Sequence, residues 1–245
     1  MPSSINDYRQ LIEQPWGTMF YDTLFRQLDL SEKHPLNILD YGAGFCVTAS
    51  HYATHHHVTA IEPSEEMLEL KLPDNSSNYI CIHGGIEELK KQDSAIFDLV
   101  ICHNVLEYVS DKEEILTELS RVLKQEGRLS IIKHNLAGRI LAYSVFSDNP
   151  GAALDLLEEG DNENNMFGSR DTYHNEYLIE QGKKLGLSLE NRFGLRTFFG
   201  LSTNDSIKFT DEWYDNMLAL EMKTCNLEEF KNISFFNHLI FKKAK

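Results

Sequence analysis

The 245-residue sequence is short of basic side chains, with 23 Lys and Arg against 38 Asp and Glu and a formal net charge of −15. That balance works against binding nucleic acid or anionic membrane through overall charge, while leaving room for a local basic site. Long apolar runs are lacking too. No stretch approaches the roughly 18 residues needed to cross a bilayer, and the opening MPSSINDYRQLIEQPWG has no basic segment followed by an apolar one. These absences predict a soluble, cytoplasmic chain with no membrane partner. Cysteines are few: Cys46, Cys81, Cys102 and Cys225 form no C-x-x-C pair, so zinc and redox-motif spacings are missing. Three of them sit in apolar patterns and read as small buried thiols. His55, His56 and His57 are consecutive and cannot converge on one ion, so no metal is expected.

What is there is an alternation of short apolar runs with amphipathic stretches, the pattern of parallel strands joined by helices. The runs LNILDY (36–41), HVTAIE (57–62), NYICIH (78–83), FDLVICH (97–103) and GRLSIIKHN (127–135) are rich in Ile, Val and Leu, as strands buried on both faces should be. Two more, around 187–195 and 235–243, complete seven and could pair antiparallel around an intervening helix. The clearest helix is 111–124, where Ile115, Leu116, Leu119, Val122 and Leu123 recur at helical spacing. The predicted class is therefore α/β, a doubly wound, mostly parallel seven-stranded sheet in one domain spanning 1–245. Its parts are a helical arm (1–35) broken at Pro15-Trp16-Gly17, a core (36–135), a helical cap insertion (136–173) and a closing part of the sheet (174–245).

The strongest chemical signal is ILDYGAGFC, 38–46, a strand running into two glycines and then a helix. Gly42 and Gly44 lack Cβ, so the backbone can turn tightly and a ligand can come close to it. Glu62 ends the next strand twenty positions after Gly42, where an acid can accept hydrogen bonds from both hydroxyls of a ribose. The same acid could instead simply suit the start of the helix that follows. An adenosine-containing cofactor is implied. A dinucleotide fingerprint would place a third glycine where Val47 stands, which makes a nicotinamide-dependent oxidoreductase the alternative, with a non-catalytic cofactor-binding module as another.

Taken in order, ILDYGAGFC, AIEPSEEML, HGGIEEL, FDLVICHNVLEYV and LSRVLKQEGRLSII resemble the class I S-adenosylmethionine-dependent methyltransferases, which have a Rossmann-like fold. The resemblance implies S-adenosyl-L-methionine as cofactor. Asp40, Tyr41, Gly42, Ala43 and Gly44 match the loop around its methionine part, Glu62 the ribose-binding acid, and Ile86 and Glu87 the positions flanking adenine. His103 and Asn104 match the strand end where the methionine part and the incoming nucleophile meet. A narrower resemblance, carried by 103–141, GLRTFF and the closing strand, is to the bacterial enzymes that methylate carboxymethoxyuridine in tRNA. It implies Arg196 as a substrate-binding residue; Asn135 and Tyr143 are further substrate-binding candidates. The acceptor is then a small molecule or a modified tRNA uridine. A carboxylate acceptor needs no general base, whereas a hydroxyl or amine would call on His103 or His134. An RNA acceptor would further need Lys133, Arg139, Arg170, Arg192 and Arg196 to gather into a positive rim. The oligomeric state is not legible.

Overall fold

The computed structural model describes residues 4–30, 34–71, 79–159, 164–165, 168–169 and 173–245. The chain divides into two compact units. One comprises Leu30–Ile131, His174–Asn191 and Leu239–Lys245, and the other Met1–Asp29, Ile132–Tyr173 and Arg192–His238.

Among the described residues, the strands are β1 (Asn37–Tyr41), β2 (His57–Glu62), β3 (Tyr79–His83), β4 (Phe97–His103), β5 (Leu123–His134), β6 (Asn164–Asn165), β7 (Gly168–Ser169), β8 (Leu187–Leu195) and β9 (Phe236–Lys243). Seven form one mostly parallel sheet in the order β3-β2-β1-β4-β5-β9-β8, as the apolar runs predict, while β6 and β7 make a small antiparallel pair. β2 and β4 flank β1 in parallel register, Asp40 lying opposite Ala60 on one side and Ile101 on the other. The strand order therefore reverses at β1, and the carboxyl ends of strands at such a reversal open a crevice. Ile38, Leu39, Val100 and Ile101 are fully buried. Runs without polar alternation form central strands because water reaches neither face.

The helices of the first unit are α3 (Val47–Ala53), α4 (Glu65–Glu69), α5 (Ile86–Lys90), α6 (Lys112–Val122) and α9 (Asn175–Lys184). α6 buries Ile115, Leu116, Leu119 and Val122, the stripe its spacing predicts. The second unit holds α1 (Ile5–Ile12), α2 (Pro15–Gln27), α7 (Leu136–Leu141), α8 (Pro150–Glu159), α10 (Asp211–Thr224) and α11 (Glu228–Lys231). Its core cluster joins Met19, Phe199 and Leu218, with Trp16, Trp213 and Met217 packed against them. Each such buried side chain contributes about 1.5–3 kcal/mol through removal from water.

Three boundaries differ from the sequence reading. The N-terminal break precedes Pro15 rather than spanning it: Pro15 is the first residue of α2, where its missing N–H costs nothing. Trp16 and Gly17 lie inside that helix, and a Cβ on Gly17 would stand 2.1 Å from the Ile12 carbonyl oxygen, so glycine here permits close approach of α1. β5 begins at Leu123, four residues before the predicted start, and runs through Glu126 in a left-handed conformation (φ 63°). There the Lys243 ammonium binds the Ser120 and Leu123 carbonyls that end α6. α11 interrupts what reads as a plain connection. Within the cap, Asp161, Glu163 and Arg170 lie outside the described residues. No helix among the described residues is long and apolar enough to cross a membrane.

Candidate active site

Two regions carry the predicted chemistry, one in each unit. In the first, β1 ends at Tyr41 and the backbone turns at once, the amides of Gly42 and Ala43 both donating to the Ile61 carbonyl at 2.8 and 3.1 Å. Gly42 has φ 75° and Gly44 φ 55°, and a Cβ on Gly42 would lie 2.2 Å from a methyl of Val105. Conformation and space both require glycine at 42. Glu62, 5% exposed, grips the turn from β2: one carboxylate oxygen accepts the Gly44 amide at 2.7 Å and the other the Ser64 amide at 2.8 Å. Both readings of Glu62 are thus compatible with its position, since it meets the start of the next helix and the turn, and each oxygen keeps a further lone pair for a ribose hydroxyl.

Asp40 lies one residue before the turn, buried, with its Oδ2 without a hydrogen-bond partner among the described residues. Burial and the nearby Glu62 carboxylate push its carboxyl up to about 7, against the Ala49 amide, which pulls it down. A buried acceptor with a free oxygen is suited to a cationic ligand. At the end of β4, His103 Nε2 is 2.8 Å from the Ser130 hydroxyl. Asn104 follows in a left-handed conformation (φ 54°) with its amide oxygen buried and unpartnered among the described residues. Ile86 is half-buried at the start of α5 beside the exposed Glu87. A turn that admits no Cβ, an orphaned buried acid and a half-buried apolar residue together fit the amino acid, ribose and base of S-adenosyl-L-methionine.

In the second unit, Arg196 directly follows β8 at φ 58° and is 4% exposed. Its guanidinium carbon lies 4.6 Å from the centre of the Trp16 ring, 5.4 Å from Phe235 and 5.6 Å from Phe199. Nε and Nη1 have no hydrogen-bond partner among the described residues, nor has the adjoining Thr197 hydroxyl oxygen. Burial lowers the guanidinium pKa to about 9, while the negative charge of Glu221 works the other way. Arg196, Thr197, Gly138, Ala142 and Phe235 line a small cavity of about 10 Å³.

The other acceptor candidates also fall in this unit. The Asn135 amide nitrogen donates to the carbonyls of Asn232 and Ser234 at 2.9 and 2.8 Å. The Tyr143 hydroxyl accepts from Arg139 at 3.3 Å, and the His134 ring packs 4.7 Å from that of Phe236. Of the five cations named for a rim, Lys133, Arg139 and Arg196 are buried and Arg192 is ion-paired to Glu228.

Sequence reasoning missed Glu221. Its buried carboxylate accepts the amides of Thr197, Phe198 and Phe199 at 2.8 to 2.9 Å, fixing the turn that carries Arg196. The signal was present: Glu221 falls with Leu218 and Thr224 on the buried stripe of α10, where an acid needs donors. Thr197 was overlooked as well, being indistinguishable from any strand-end threonine.

A doubly wound sheet with a glycine turn and a ribose-spaced acid at its reversal is an architecture of adenosine-cofactor folds, the class I S-adenosylmethionine-dependent methyltransferases among them. Residues 39–131 match the family model described as Methyltransferase domain, which supports an S-adenosylmethionine-dependent methyltransferase of unspecified acceptor. It is 25% identical over 244 residues to the tRNA 5-carboxymethoxyuridine methyltransferase of Escherichia coli (strain K12), covering 94% of this chain and 90% of that one. In fold it is similar to the methyltransferase partner in a complex with the Haloferax volcanii Trm112 activator (TM-score 0.66, 12% identity, 98% of this chain and 96% of the other). It is also similar to an S-adenosylmethionine-dependent methyltransferase of Thermotoga maritima (TM-score 0.63, 16% identity, 98% and 96%). These relatives do not favour the nicotinamide-dependent alternative.

Proposed function

We propose that the chain methylates a carboxylate, converting it to a methyl ester, with Arg196 as the residue that binds the acceptor. One observation carries this reading: a buried guanidinium with two nitrogens unpartnered beside an unpartnered hydroxyl. A buried guanidinium with two nitrogens lacking hydrogen bonds is costly, and a planar carboxylate matches its fork of donors. The tRNA relative is named for a carboxymethoxyuridine, which contains such a group. Lys133 and Arg139 are buried rather than arrayed toward solvent, so the carboxylate itself, more than a run of phosphates, is what the described residues are equipped to hold.

The cofactor supplies a methyl group already activated on a sulfonium. The chain has three tasks. Asp40 takes the amino group of the methionine part, Glu62 the ribose hydroxyls, and Ile86 and Glu87 the adenine, with Tyr41, Gly42, Ala43 and Gly44 shaping the bed. Arg196, with Asn135 and Tyr143 in the same unit, fixes the orientation of the acceptor, and orientation supplies most of the rate in such a transfer. His103, Asn104 and His134 set the polarity at the strand ends. A carboxylate is ionised at neutral pH, so none of the three has to remove a proton.

The test is the stability of the product. With radiolabelled methyl donor, label transferred to small carboxylic acids or to tRNA carrying carboxymethoxyuridine should be released by mild alkali as volatile methanol. Alkali-stable label would place the methyl on nitrogen, carbon or an ether oxygen and overturn the reading.

A further inference from the structure

We propose that Cys46 and Cys81 are a modification site: a peroxide converts them to a reversible disulfide that distorts the glycine turn. The two Sγ atoms are in contact at 3.4 Å, although the residues are 35 positions apart. Cys46 is the last residue of the turn. Its amide donates to the Ala43 carbonyl at 2.9 Å, its carbonyl accepts the Ser50 amide at 2.8 Å, and its backbone is left-handed at φ 58°. Cys81 belongs to β3, opposite Ala60 of β2.

The two thiols are not equivalent. Cys46 is fully buried and Cys81 half-buried, so a small oxidant reaches Cys81 first. The hydrogen bond from Cys46 and the charge of Lys71 favour the thiolate of Cys81, while that same bond and burial hold Cys46 as the thiol. The Cys81 thiolate attacks hydrogen peroxide and breaks its O–O bond; with a proton from solvent this leaves a sulfenic acid on Cys81 and one water. Cys46 then attacks Cys81 Sγ and loses its proton, and the departing hydroxide leaves with that proton as a second water. Two thiols and one peroxide thus give one disulfide and two waters. Cys102 and Cys225 are buried and their thiols are pushed up by burial, so they serve as internal controls.

A disulfide holds its sulfurs at about 2.05 Å, so the pair must close by about 1.4 Å from its present contact. Cys46 is packed on all sides and already in a conformation unfavourable to a non-glycine residue, so closing the pair puts strain on 42–46, where the Gly44 amide is held by Glu62. This consequence, unlike the disulfide, rests on the turn being the cofactor bed.

The reduced protein is first titrated with S-adenosylhomocysteine by calorimetry, then treated with one equivalent of hydrogen peroxide, and its mass and peptide map recorded. The expected result is loss of two hydrogens, a Cys46–Cys81 linked peptide reversed by a phosphine reductant, and binding weakened about tenfold, or 1.4 kcal/mol. Cys46→Ser should leave a dimedone-reactive sulfenic acid on Cys81, and Cys81→Ser should form no disulfide. Oxidation of Cys102 or Cys225 as fast as Cys81, or four free thiols after excess peroxide, would overturn the site. Unchanged binding in the disulfide form would overturn its effect on the turn. Failure of the reduced protein to bind counts against the cofactor reading, and the mass result stands apart from it.

Discussion

The glycine turn and the arginine pocket solve different binding problems by different means. The turn is made of backbone: Gly42, Ala43 and Gly44 follow one another, and their amides are tied to Ile61 and Glu62 on the adjacent strand. The setting of the arginine is made of side chains from distant positions: Trp16 of α2 and Phe235 before β9 pack on Arg196, which follows β8, and Glu221 of α10 holds the amides just beyond it. Backbone built from consecutive residues suits a ligand of fixed chemistry, whereas dispersed side chains can be exchanged one at a time to change an acceptor. The difference predicts that damage to each region should be read by a different ligand.

Arg196→Met should give the largest effect. It leaves the aromatic walls in place and removes the charge, so kcat/KM for the acceptor should fall about 10²–10³-fold, the scale on which a buried charge pair loses a partner. Because Arg196 lacks two hydrogen bonds without acceptor, the apo protein should lose no stability and can gain some. S-adenosylhomocysteine affinity should be unchanged by calorimetry. A parallel loss of cofactor affinity would break the separation between the two regions.

Gly42→Ala should do the reverse through the backbone. At φ 75° an alanine is strained, and its Cβ meets Val105 at 2.2 Å. The expected cost is about 1–3 kcal/mol in stability, read as a lowered urea midpoint, with S-adenosylhomocysteine binding weakened by about tenfold or more. Val105→Ala in the same chain removes the steric part and should restore part of the stability, leaving the conformational part. Full restoration would mean that φ at 42 carries no strain.

The same contrast explains what could be read from sequence. The turn and Glu62 were legible because a strand, two glycines and an acid twenty positions on form a local pattern, whereas His103 and Asn104 came only from the resemblance to a family. Arg196 was legible only through GLRTFF. Its context was not, because nothing within a few residues of 196 announces that Trp16 stacks on it or that Glu221 accepts the three amides beyond it. Sheet composition was fixed by apolar runs, whereas the contact of Lys243 with the Ser120 and Leu123 carbonyls, where α6 gives way to β5, joins residues more than a hundred positions apart. The Cys46–Cys81 contact was invisible for the same reason. Each cysteine taken alone reads as a small buried hydrophobe.

The smallest effect should come from Asp40, and it separates the regions by pH. Its carboxyl is raised from 3.8 to about 7, so the folded chain binds a proton there that the unfolded chain has released. For a raised acid, the stabilising contribution is present in full below pH 3.8 and is lost as pH rises towards 7. A cationic amino group binds the ionised carboxylate, so the proton must leave first. S-adenosylhomocysteine affinity should therefore rise about tenfold per unit on approaching pH 7 from below and level off above it. Glu62 and Cys81 also act on Asp40, so the attribution needs Asp40→Asn. That variant should bind more weakly at pH 8, with affinity flat between pH 5.5 and 8, while acceptor binding at Arg196 keeps its own profile. A slope of equal size in Asp40→Asn would move the titration to Glu62 and take from Asp40 its role as the partner of the amino group.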